Sequence, residues 1–128
     1  MPAKTPQEAH NLFVEYFNEG DLEKVLSLYE PNATLVMMSE PVQGHEAIRK
    51  ALGVFLSFKG HMELQIDRIF QTDDVALLFS SWTLTGTDPD DGSPRVTSGQ
   101  TSDVVRKQPD GRWLFVIDNP EGAASATT

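Results

Sequence analysis

The apolar residues of this chain change their spacing near residue 60 and do not change back. Before that point they recur mostly at every third or fourth position, the repeat of a helix with one buried stripe. After it they alternate, as they do in strands that bury one face. A chain so divided can hide its second half only by pairing hairpins into a sheet, and can cover that sheet only with the helices that came first. The expected class is therefore α+β: three N-terminal helices packed in a strongly curved, mainly antiparallel sheet.

The helical half is punctuated clearly. Thr5-Pro6-Gln7-Glu8 is a capping box with proline at the first helical position, followed by Ala9, Leu12, Phe13, Tyr16 and Phe17 at helical spacing. Gly20 is a left-handed stop, and Asp21 caps a second helix bearing Leu22, Val25, Leu26 and Tyr29, which ends before Pro31. A short apolar run, Thr34 to Met38, leads through a proline-containing polar loop to a third helix over about 45–58, with Ala47, Ile48, Ala51, Leu52 and Phe55 as its stripe. Four strands follow, over 61–71, 75–85, 95–107 and 113–118. The alternation slips at Asp67-Arg68, as a bulge would make it do. The last residues, 119–128, offer nothing to bury and are expected to fray, leaving one domain with an ordered core over about 6–118.

Composition narrows the function. The chain has 128 residues, 39% apolar and 23% charged, which suits one globular domain. Its formal charge is −9 and its basic residues are scattered, so nucleic acid and anionic membrane surfaces are poor partners. No cysteine is present, which removes thiolate chemistry and disulfides. No apolar run nears the roughly 18–20 residues that span a bilayer, and no signal-like segment opens the chain, so a cytoplasmic location is expected. His10, His45 and His61 show no metal-ligand spacing, His10 being read as part of an exposed helix face; neither a metal nor a cofactor is expected. Asp88-Pro89-Asp90-Asp91-Gly92 is misphased for a calcium loop and reads as a surface turn. No Ser-His-Asp pattern stands out.

The element order, the stretch GDLEKVLSLYEPNATL at 20–35 and the Gly44-x-x-Ala-Ile run opening the third helix together resemble the nuclear transport factor two-like superfamily, nearest its SnoaL-like and ketosteroid isomerase branches. The resemblance spans about 6–118. It implies a cone: a bent sheet (a cystatin-like α+β barrel) wrapped around helices, with an apolar cavity at the wide end. Carried across residue by residue, the general base of the isomerases falls at Met37, which cannot take a proton. The enolate-binding phenol falls at Phe13, while the tyrosine that supports it is kept as Tyr29 and the oxyanion-hole acid as Asp103.

In the family's register Leu114, Val116 and Asp118 face the cavity and Asp118 stands opposite Asp103; a one-residue slip in the last hairpin would turn Ile117 inward instead. Asp103 and Asp118 are thus the candidate catalytic residues. Phe13, Phe17, Tyr29, Met37, Leu52, Phe55, Leu78, Ser80, Trp82 and Val116 are the candidate ligand-binding residues. Each has a plainer reading: Asp103 as a solvated edge residue, Asp118 as a strand-end cap, Met37 and Trp82 as core.

Two functions remain open at this stage. One is an enzyme of isomerase, cyclase or hydrolase type that binds a small apolar or carbonyl-bearing molecule, uses Asp103 as acid or oxyanion donor, and lacks the isomerase base. The other is a non-catalytic binding or dimerisation scaffold. Both expect a homodimer through the outer sheet face, where Ser98, Gln100 and Ser102 would lie beside an exposed Trp113.

Overall fold

The computed structural model describes residues 3–127. Helix α1 runs Pro6–Glu19, its first turn closed by the Thr5 hydroxyl accepting the Glu8 amide and its end by Gly20 at φ 74°. Helix α2 is short, Leu22–Leu26, capped by Asp21. The chain is extended from Tyr29 on: β1 covers Tyr29–Met37 and turns through Met38-Ser39 into β2, Glu40–Gln43. Tyr29 therefore opens a strand instead of closing a helix, and the expected polar loop contains a strand of its own. Helix α3, His45–Ser57, follows.

Strands β3, His61–Thr72, and β4, Val75–Thr87, form a long hairpin whose register shifts between Ile66 and Arg68, at the expected bulge. The expected strand over 95–107 is broken into β5, Pro94–Gln100, and β6, Asp103–Lys107; β7, Trp113–Asp118, is last. The seven strands form one mixed, curved, unclosed sheet in the order β2-β1-β7-β6-β4-β3, with β5 also on β4. Among the described residues only β1 and β7 run parallel. With the three helices this is the α+β cone of the nuclear transport factor two-like fold.

The break between β5 and β6 curves the sheet. One edge of β4 pairs β6 over Val75–Leu78 and then β5 over Ser81–Thr87. Between them Thr101 bridges the gap: its amide donates to the Ser80 carbonyl, and its hydroxyl accepts the Ser80 amide. Alternate residues of β4, Ala76, Leu78, Ser80, Trp82 and Leu84, all face inward. The apolar ones form one core with Ala9, Tyr16 and Phe17 of α1, Ile48 and Leu52 of α3, Val105 of the neighbouring β6, and Leu35 and Phe115 of β1 and β7. Trp113, expected at the surface, belongs to this core at 3% exposure.

The segment after Asp118, expected to have nothing to bury, is hydrogen-bonded to the rest of the fold. The Ser102 amide donates to the Asn119 carbonyl and the Trp82 indole to the Pro120 carbonyl, and the Glu121 carboxylate accepts the Ser39 amide. A 3₁₀ turn, Gly122–Thr127, ends the segment. Gly122 lies so close to β5 that a Cβ would stand 2.4 Å from the Gln100 carbonyl oxygen. Hydrogen bonding, which hydropathy does not register, holds this segment in place; Thr128 lies outside the described residues.

Candidate active site

A cavity of about 50 Å³ lies between α1, α3 and the concave face of the sheet. Phe13, Phe17, Leu52, Phe55 and Trp82 line it, joined by Leu35, Met62, Leu64, Leu84 and Phe115. Asp103 and Asp118 stand at its polar end with His10 and Thr101. The two acids are 2% and 6% exposed, so neither is a solvated edge residue.

Both acids face inward because β7 carries an extra residue. Val104 pairs Ile117 and Val105 pairs Phe115, which leaves Val116 as a bulge. Phe115 and Asp118, three apart, thereby reach the same cavity, which neither of the two uninterrupted registers allows. Ile117 points outward, 41% exposed, while Leu114 and Val116 do not line the cavity.

The remaining expected ligand residues stand elsewhere. Tyr29 and Ser80 are buried behind the acids, and Leu78 is sealed in the core at 0% exposure. Met37 lies outside the inner cavity, in a groove at its mouth that also takes in Met38, Phe55, Trp82 and Pro120.

His10 was not foreseen. It is buried, and its Nε2 lies 2.6 Å from Asp103 Oδ2 while its Nδ1 lies 2.8 Å from Ser80 Oγ. The available signal was spacing: His10, Phe13 and Phe17 sit at i, i+3 and i+7, one stripe of α1. Its imidazole stacks on Phe115, 5.4 Å between centroids. Asp103, His10 and Ser80 thus form a hydrogen-bonded chain absent from the sequence pattern. Ser80 is fully enclosed and does not line the cavity, so it positions the ring and cannot attack a ligand.

The charge states follow from burial and partners. Burial pushes the Asp103 carboxyl up to about 7, held from rising further by donors from Asp118, the Asn119 amide and Thr101. The Asn119 amide lies 2.7 Å from Oδ1. Burial and the neighbouring Asp103 charge drive Asp118 well above the ordinary carboxylate range, only partly opposed by the hydrogen bond from the Tyr29 hydroxyl. Tyr29 is itself raised by burial and stays protonated. Burial lowers His10 to about 4, with the Asp118 charge acting the other way. Its contact with Asp103 is therefore a hydrogen bond of a neutral ring: Nε2–H donates to the carboxylate, and Nδ1 accepts from Ser80.

The two carboxyls stand close enough for each to act on the other's proton. Two acids in such a setting cannot both ionise, so they share one proton. Asp118 is the member that keeps it, and Asp103, surrounded by donors, is the one able to carry charge. Among the described residues no three His, Asp or Glu side chains converge as metal ligands would.

Residues 11–116 match the model of the SnoaL-like domain. The chain belongs to the SnoaL-like domain family. Solved structures share its fold. A ketosteroid isomerase-like protein from Erwinia carotovora atroseptica is 20% identical, with 88% of this chain and 89% of that one covered at TM-score 0.78. A nuclear transport factor 2-like superfamily protein from Salmonella enterica serovar Typhimurium is 20% identical over 90% and 86%, at 0.77. A protein from Streptomyces avermitilis, named as a candidate dehydratase of the same superfamily, is 17% identical over 88% and 90%, at 0.73. At such identities these matches speak to the fold alone. Comparison with curated proteins finds no match. No helix among the described residues is long and apolar enough to cross a membrane.

Proposed function

We propose that this SnoaL-like protein is an acid–base enzyme acting on a small, largely apolar molecule with one carbonyl or hydroxyl group. The observation that carries the reading is the pair of buried carboxyls, Asp103 and Asp118, standing together at the end of a cavity otherwise walled by aromatic and aliphatic side chains. Such a cavity rewards removal of apolar surface from water and tolerates only one polar contact. Asp118 is the acid, its proton turned toward Asp103 and given to a ligand oxygen when one is bound. Asp103 is the base, near its titration point at neutral pH, where proton transfer is most effective. His10 is a positioning residue that keeps the Asp103 carboxylate oriented. Met37, outside the inner cavity, takes no part in the chemistry.

The reaction class is proton removal beside a carbonyl, with charge developing on an oxygen that Asp118 neutralises. The test needs no knowledge of the natural substrate. Deuterium exchange at the α-carbons of a simple ketone in D₂O, followed by NMR, is expected to be accelerated by the protein. The Asp103→Asn variant is expected to lose about 10²-fold or more of that acceleration. Exchange no faster than in buffer would remove the reading.

The rival reading, a scaffold without chemistry, draws on the internal partners of the acids: Asp103 already has His10 and the Asn119 amide, and Asp118 has Tyr29. It requires Asp103→Asn to leave exchange untouched.

A second copy of the chain is the proposed partner. Phe70, Leu77, Val104 and Ile117 pair successively across the outer face of the sheet, and Phe79 meets Phe70 edge-on at 6.2 Å. Such a row favours burial against its own copy. Trp113, once expected in that interface, is core and takes no part. Sedimentation equilibrium at micromolar concentration is expected to report a dimer, and Phe79→Glu a monomer.

A further inference from the structure

The inner cavity is too small for most molecules that carry a ketone. A water-sized group needs roughly 10–15 Å³ of such space, so about 50 Å³ admits only a few heavy atoms. The cavity does not end there. Phe55, Trp82 and Pro120 line both it and a groove of about 760 Å³ at its mouth. The indole N–H of Trp82 donates to the Pro120 carbonyl at 2.8 Å, which fixes one side of this throat. Gly99 makes room for that arrangement, since a Cβ there would stand 2.9 Å from both the indole and the Pro120 oxygen.

The groove is built on one side by Val36, Met37 and Met38. Met38 is 82% exposed and, with Ser39, forms a two-residue hairpin turn in which both residues have positive φ, 51° and 66°. Turns of that kind favour Asn and Gly, because a side chain is strained there. A methionine in such a place is a local conflict without a folding advantage, and it sets a flexible apolar side chain on the rim of the groove. The opposite wall, the segment after Asp118, is tied to the same turn through Glu121 and the Ser39 amide at 2.8 Å.

We propose that the ligand of this site is a neutral, unbranched chain. Its carbonyl head sits against Asp103 and Asp118, and its apolar tail passes Phe55, Trp82 and Pro120 into the groove beneath Met37 and Met38. This rests on the acid–base reading above and adds a shape to it: elongated, where a compact ring system would not fit. Neutrality follows from the groove's Glu121 and the chain's charge of −9, which disfavour an anionic tail.

The test is calorimetric titration of 2-butanone, 2-heptanone, 2-undecanone and the bicyclic 2-decalone into the full chain and its Met38→Asp variant. Affinity is expected to rise roughly two- to fourfold per added methylene, with 2-decalone no tighter than 2-butanone. Met38→Asp is expected to weaken 2-undecanone about tenfold while flattening the series at its long end. Affinity independent of chain length, with α-proton exchange intact, would overturn the tail while leaving the acid–base reading standing. No binding at any length, together with no exchange, would overturn both. An unaltered series in Met38→Asp would overturn the groove as the tail's place. So would a monomer from that variant where the native chain sediments as a dimer, since a second copy would then be the groove's occupant.

Discussion

The two ends of the concavity are built on opposite principles. At the acid end every functional side chain is buried and held by a named partner: His10 by Ser80, Asp103 by His10 and Asn119, Asp118 by Tyr29. At the mouth the lining is mostly apolar with a polar side formed by residues such as Ser98, Gln100 and Glu121, and it is carried in part by a hairpin turn and the segment after Asp118. The first arrangement fixes protonation states; the second can adapt to what it covers. Precision is placed where charge must be controlled, and tolerance where only apolar area is at stake.

Substitutions break this contrast most directly. Leu78→Ala, directly beneath the acid end, is expected to cost about 2–5 kcal/mol of stability, whereas Met38→Ser at the mouth should change it by less than about 0.5 kcal/mol. Urea denaturation of both variants measures this, and comparable losses would end the distinction.

The next effect is a dependence of stability on pH. A carboxyl raised on folding keeps a proton that the unfolded chain has shed, so it loses stability as pH rises from its ordinary value toward its folded one. Asp103, up to about 7, and Asp118, well above its ordinary range, both act in this sense. His10, lowered to about 4 from 6.5, acts oppositely and adds stability as pH rises between those values. The balance between pH 5 and 6.5 is about one excess proton in the folded state. Stability should therefore fall by about 1.4 kcal/mol per pH unit. Asp103→Asn should make this slope nearly flat, and His10→Gln should roughly double it; urea titrations across the window read both.

Two smaller effects sharpen the comparison. Tyr29→Phe strips a donor from buried Asp118 and should cost about 1–3 kcal/mol while raising the Asp118 carboxyl further, both visible in a pH series of melts. Gly99→Ala forces Trp82 and Pro120 apart at the throat and should cost about 1 kcal/mol, with a shift in tryptophan emission as the indole is displaced.

Much of the fold was legible because local rules and tertiary demands agreed. The Thr5 and Asp21 caps, the Gly20 stop, the inward row from Ala76 to Leu84 and the bulge at Asp67 all follow from spacing or turn chemistry. Asp103 and Asp118 were also within reach, by alternation and by resemblance. What escaped was set by contacts distant in sequence. Tyr29 fits the apolar stripe of α2 but pairs with Phe115, 86 positions later, and so joins the sheet. The bulge at Val116 has no glycine or proline to announce it. The break at Thr101 is stabilised by Ser80. His10 shares the α1 stripe of Phe13 and Phe17, but the partners that satisfy it when buried, Ser80 and Asp103, are distant in sequence.

The most direct measurement is a ¹³C NMR titration of the aspartate carboxyl carbons, with Asp103→Asn and Asp118→Asn used for assignment. A shared proton predicts that one signal, lost in Asp118→Asn, remains that of a carboxylic acid at pH 7. A second, lost in Asp103→Asn, should titrate near that pH. Two signals that both ionise near pH 4 would contradict the account.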